Sequence, residues 1–196
     1  MRRYIYFVFL LCCAVNLLLT SCVRQKYVVM DMVHHNPGEA MTESKFLDPS
    51  FLKKNEYGAK VFFLFEAAQF GIDWKSFDPS LFPDTTEAGR WVAEKAEIIH
   101  KKYDAAKKED LQVYCMLDML VLPSLLVEKH RTELTNEQGK LDISKPYTQL
   151  CIRELMKEMF ETFPQLDGLV IRTGETYLHD APYYVGNHPV QNGMYD

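Results

Sequence analysis

The chain has 196 residues, 47% of them hydrophobic and 25% charged, with a formal net charge of −5. That composition suits one packed globular domain and rules against a disordered chain. A mildly acidic chain without a basic cluster is poorly matched to the phosphates of nucleic acid, which are gripped by Lys and Arg.

The first residues read as a targeting segment. Arg2 and Arg3 form a basic start, Tyr4 to Leu19 runs apolar with only Asn16 interrupting, and Thr20 and Ser21 precede Cys22. That is the layout of a secretory signal, whose apolar stretch is not a helix of the mature fold. Leu19-Thr20-Ser21-Cys22 resembles the bacterial lipobox. The resemblance implies a lipoprotein signal peptide over 1–21, cleavage before Cys22, and a diacylglycerol and a further acyl chain such as palmitate on that cysteine. Several chains suffice for a stable membrane anchor, which places the protein at the cell envelope. The alternative is an uncleaved anchor helix, but roughly 16 apolar residues fall short of the ~20 that a span needs. Cys12 and Cys13 have bulky neighbours and make poor cleavage sites. Val23 and Arg24 carry no acidic export signal, which favours the periplasmic side over the outer surface.

Beyond Cys22, from about Lys26, four strand-then-helix units follow. Lys26-Tyr-Val-Val-Met-Asp-Met-Val33 is a nearly continuous apolar run, the pattern of a strand buried on both faces of a parallel sheet. His34-His-Asn-Pro-Gly-Glu39 ends it with turn residues. Asp48-Pro49 predicts an N-cap with proline at the first helical position, opening a short helix to Lys54. Ala59-Lys-Val-Phe-Phe-Leu-Phe65 is a second strand, followed by a loop over 66–83 that carries Glu66, Gln69, Asp73 and Trp74.

Asp84-Thr-Thr-Glu87 resembles a capping box. After it, Ala88, Trp91, Val92, Ala96, Ile99 and Tyr103 recur at three- and four-residue spacing, an amphipathic helix to about Lys108 in which Trp91 is a packing residue. Leu111-Gln-Val-Tyr-Cys-Met-Leu117 is the third strand. Tyr147, Leu150, Cys151, Leu155, Met159, Phe160 and Phe163 mark another helix, entered through Ser144, and Leu166 to Thr173 is the fourth strand. Cys115 lies in an apolar strand and Cys151 on an apolar helical face, so buried free thiols are expected, with a disulfide left open in an oxidising compartment.

Strands alternating with helices imply an α/β fold with a parallel sheet. A doubly wound sheet would place a Gly-rich phosphate turn after the first strand, and 34–39 has a single glycine and a helix-breaking Pro37. The expected architecture is therefore about four βα units of a TIM (β/α)8 barrel over 22–196, incomplete because a closed barrel takes eight units and ~250 residues. No nucleotide-cradling loop, serine elbow or paired-cysteine motif occurs, and no cofactor is expected.

Ligands of such folds sit at the carboxyl ends of the strands. Four clusters fall there: His34, His35, Asn36 and Glu39; Glu66 and Gln69; Asp118; and Arg172, Glu175, Tyr177, His179, Asp180 and Tyr183. Adjacent residues on a strand face opposite ways, so His34 and His35 cannot both enter one site as metal ligands. Asp31, mid-strand among Val and Met, needs a partner, and Arg172 is a candidate. Trp74, Tyr177, Tyr183 and Tyr184 lie in loops, where flat rings could stack on the C–H face of a sugar.

Glu175 follows Arg-Thr-Gly, where Gly174 frees the backbone to turn, and glycosidases need a protonated carboxylic acid beside the scissile oxygen. Asp167-Gly-Leu-Val-Ile-Arg-Thr-Gly-Glu175, with His34-His-Asn-Pro-Gly-Glu39 upstream, resembles lipid-anchored glycoside-hydrolase-like barrel proteins of polysaccharide-degrading bacteria. The resemblance runs from about Lys26 to Tyr184. It implies an acid/base glutamate at Glu175, a nucleophile after a seventh strand that these four units do not contain, and a carbohydrate ligand. It also implies an N-terminal half inactive alone, whose gene continues into further units and whose partner is the other half or a second copy. Arg-Thr-Gly-Glu stands where many members of that clan have Asn-Glu. A non-catalytic glycan-binding lipoprotein and a metal-dependent barrel hydrolase remain as alternatives.

Overall fold

The computed structural model describes residues 45–63, 66–173, 176, 178 and 181–187, together with the backbone of Met30–Asp31. Its centre is a four-stranded parallel sheet made of β1 (Met30–Asp31), β2 (Ala59–Phe63), β3 (Gln112–Asp118) and β5 (Gly168–Arg172). The spatial order is β1-β2-β3-β5, the same as the order along the chain. A doubly wound sheet reverses direction at a switch point; this one does not. Successive parallel strands, each joined to the next through helix, are the arrangement of one wall of a (β/α)8 barrel. Among the described residues the wall is open, with β1 and β5 as its outer strands.

Local chemistry explains the helices between strands. Helix α1 (Pro49–Lys54) starts where expected: the Asp48 carboxylate accepts the Ser50 N–H at 2.9 Å, and proline occupies the first turn. Helix α2 (Glu87–Lys108) is capped by Thr86, whose hydroxyl accepts the Gly89 N–H at 3.0 Å, so the cap sits two residues beyond the Asp84 that the sequence pattern suggested. Gly89 is required there, since a Cβ would fall 2.1 Å from the Pro83 carbonyl oxygen. Helix α5 (Pro146–Thr162) begins after Lys145 rather than at Ser144, which instead closes a turn on Asp142 at 2.7 Å.

The strand alternation sorts two cores. Phe62, Val113, Cys115 and Leu117 share the main core with Val92, Ile99 and Tyr103 of α2 and Cys151, Leu155 and Met159 of α5. Val61, Phe63 and Met116, which alternate with them along β2 and β3, form a separate small cluster with Tyr114 and Val170. Side chains two apart on a strand share a face, so the helices cover one face and this second cluster marks the other. Phe160, expected on the buried stripe of α5, is 41% exposed, because the helix buries Cys151, Leu155 and Met159 at four-residue steps and Phe160 lies off that line.

Between β3 and α5 the chain makes elements that no long periodicity announces. These are β4 (Val121–Pro123), α3 (Ser124–Lys129) and α4 (Arg131–Leu134). After β5 the chain returns as β6 (Tyr184–Gly186) and pairs antiparallel with β4. The Asn187 amide fastens that return by accepting the Leu141 N–H at 2.7 Å and donating to the Leu141 carbonyl at 3.1 Å. Cys115 and Cys151 are both buried and free. Among the described residues no helix is long and apolar enough to cross a membrane.

Candidate functional site at the carboxyl edge of the sheet

At the carboxyl ends of β3 and β5, Asp118 and Arg172 stand opposite each other in the strand register. The Arg172 Nε lies 3.0 Å from the Asp118 Oδ1, with the carboxylate side chain 2% exposed and the guanidinium side chain 16%. The end of β2 adds an aromatic face, for the Arg172 guanidinium carbon sits 5.1 Å from the centroid of Phe63. By strand parity all three belong to the face opposite the helices, the side that would line a barrel. The three strand ends thus converge on one carboxylate, one guanidinium and one ring. Planar Arg–carboxylate pairs stacked on an aromatic hold a rigid set of donors and acceptors. The Asp31 side chain, which the sequence offered as a partner of Arg172, lies outside the described residues; among those described, Arg172 pairs with Asp118, its direct Cα partner across the β3–β5 ladder.

The other expected site residues divide. Trp74 does not face a ligand: it is fully buried, adopts a left-handed backbone with φ 58°, and packs edge-on against Phe77 at 6.0 Å. Its loop position hid the fact that the 66–83 segment folds onto the helices rather than over the strand ends. Tyr184 is likewise core, 5% exposed and edge-on to Phe70 at 5.0 Å, and burial drives its phenol well above the usual range. Glu66 pairs with Lys102 of α2, and its carbonyl accepts the Tyr103 hydroxyl at 2.9 Å. Gln69 is 2% exposed in the 3-10 helix Ala68–Gly71, another consequence of that inward-folding segment. Tyr183 is half-buried against Trp91, with ring centroids 5.8 Å apart. His34, His35, Asn36, Glu39, Glu175, Tyr177, His179 and Asp180, and the lipidation candidate Cys22, lie outside the described residues.

A second polar constellation escaped sequence reading. Glu158 of α5 is 5% exposed and its Oε1 accepts from the Ser76 hydroxyl. Burial raises its carboxyl above the usual range, against the lowering effect of the Ser76 bond. No spacing rule links residues 82 apart, so only the fold could bring them together. Among the described residues no group of three or more His, Cys, Asp and Glu side chains is placed to hold a metal ion.

Comparison with known proteins gives one structural likeness to report. A noncanonic maltogenic α-amylase from Thermotoga neapolitana superposes with a TM-score of 0.45 and 15% identity, over 78% of this chain and 41% of that one. This chain spans less than half the length of that protein. No family model matches the sequence, and no curated protein matches it.

Proposed function

We propose that this chain supplies the first four strand–helix units of a glycoside-hydrolase-like (β/α)8 lipoprotein that engages carbohydrate at the bacterial cell envelope. The observation that carries the reading is the Asp118–Arg172 pair beside Phe63, at the carboxyl edge of a sheet whose parallel strands run in chain order. Such edges are where barrel folds hold their ligands. A carboxylate and a guanidinium held rigidly beside a ring suit the hydroxyls and the C–H faces of a sugar. The motif Asp167–Glu175, by its resemblance, supplies Glu175 as acid.

Four parallel strands are half of a closed barrel, and the second carboxylate belongs to units beyond them. The chain by itself therefore binds sugar without cleaving it, and its partner is a further half-barrel or another copy. The lipid on Cys22 holds it to the membrane, on the periplasmic side or the outer surface. Glycan binding by the purified chain, reduced at least tenfold in Asp118→Asn and with no reducing sugar released, supports this reading. Release of sugar that disappears in Glu175→Gln would show that the second carboxylate is already present. Fatty-acid labelling lost in Cys22→Ser tests the anchor.

A further inference from the structure

Away from the Asp118–Arg172 pair, a shallow groove of about 440 Å³ lies between α2 and the return segment before β6. Trp91, Lys95, Leu178, Ala181 and Pro182 line it. Its floor is an indole held in place on several sides, by Tyr183 at 5.8 Å, Tyr184 at 6.0 Å and Phe70 at 6.4 Å between ring centroids. Trp91 is nonetheless only half-buried, so part of the ring faces the groove.

Lys95 stands one helical turn further along, its ammonium 5.3 Å from the Trp91 ring centroid. It is half-buried, and among the described residues no carboxylate lies within ion-pair distance of it. Of the other lysines of α2, Lys101, Lys102 and Lys107 each pair with an acid, and Lys108, which does not among the described residues, is exposed, whereas Lys95 is half-buried against Trp91. In an acidic chain a partly desolvated ammonium that touches an indole, and that no described carboxylate neutralises, can receive an anion carried on a ring with an apolar face.

Taken with the carbohydrate reading above, on which it rests, we infer that this groove is a saccharide subsite selective for a uronic acid. One ring would stack on Trp91 through its C–H face, with its carboxylate on Lys95 and its edge against Pro182 and Ala181. A neutral sugar keeps the stacking but forfeits the charge-assisted hydrogen bond, so it binds about tenfold more weakly.

The test uses the full chain, calorimetry and intrinsic fluorescence. The chain has two tryptophans, and Trp74 is fully buried, so a ligand-dependent change in emission reports on Trp91. Trisaccharides of galacturonate and of glucuronate are titrated against the matching neutral trisaccharides of galactose and glucose. At least one acidic trisaccharide should bind about tenfold more tightly than its neutral counterpart, with altered Trp91 emission. Lys95→Gln should erase that preference while the neutral sugar binds as before, and Trp91→Ala should weaken both. Equal affinity for acidic and neutral forms, or a preference that survives Lys95→Gln, overturns the subsite. Saccharide binding that depends on Asp118 but leaves Trp91 emission unchanged overturns the subsite and keeps the carbohydrate reading. Absence of binding to every trisaccharide overturns both.

Discussion

Asp118 and Arg172 are neighbours twice over: their Cα atoms are partners across the β3–β5 ladder, and their side chains form a 3.0 Å ion pair. Backbone pairing therefore fixes the geometry of the charges, and Phe63 fixes the guanidinium from the β2 side. The two partners differ in how far they are from water, and this sets an asymmetry. Arg172→Ala removes the cation from a carboxylate that is 2% exposed, and loss of one member of a buried pair costs about 3–5 kcal/mol. Asp118→Asn leaves a guanidinium that still reaches solvent, and costs less. Urea denaturation of the two variants should rank them in that order; equal stabilities would mean that the pair is not as desolvated as its burial indicates.

Gly89 inverts the ordinary propensity rule. Gly to Ala inside a helix normally stabilises by about 1 kcal/mol. Here the added Cβ would fall 2.1 Å from the Pro83 carbonyl oxygen, a backbone atom that cannot swing aside. Gly89→Ala should destabilise by about 1–3 kcal/mol, as overpacking does, and open the turn that Thr86 caps. A melting temperature at or above that of the parent would refute the contact.

Glu158 sets a pH dependence of known sign. Burial, as the leading cause, raises its folded-state pKa above the ordinary 4.5, with Ser76 opposing. The group's contribution to stability is fully present below the unfolded pKa and is lost as pH rises through the higher folded value. Glu158→Gln keeps a hydrogen-bond acceptor for Ser76 without a buried charge, so it should flatten that limb of the stability curve and match or exceed the parent at pH 7. Parallel curves for parent and variant between pH 4 and 7 would contradict this assignment.

The thiols should be silent until the chain unfolds. Cys115 and Cys151 are buried and free, and desolvation pushes each thiol up to about 11. The thiolate is the reactive form, so a thiol reagent at pH 8 should modify neither cysteine in folded protein and both in denaturant, as peptide mass mapping would show. Rapid labelling of either under native conditions would place it nearer the surface.

The sheet was legible because buried parallel strands read as short apolar runs: β2, β3 and β5 lie within the segments 59–65, 111–117 and 166–173 to within a residue. Helix α2 was legible from its period. Its cap was not, because Asp84, Thr85 and Thr86 are all competent caps and the tight approach of Gly89 to Pro83 decides among them. The β4–β6 pair was hidden since it joins three-residue strands about 60 positions apart. Loop membership misled for Trp74 and Tyr184, because a loop residue can be core when the loop folds inward, and both are at most 5% exposed. Asp118 and Arg172 were each readable as strand-end polar residues, whereas their pairing is a property of register, which no single strand carries.

Saccharide is proposed to be held at the carboxyl edge of the parallel sheet. The isotopically labelled chain can be titrated with the saccharide that binds it while backbone amide resonances are followed. The amides of Phe63, Asp118 and Arg172 should shift together, with one saturation curve, and Asp118→Asn should abolish the shifts. Saccharide binding that leaves these three amides unmoved would contradict it.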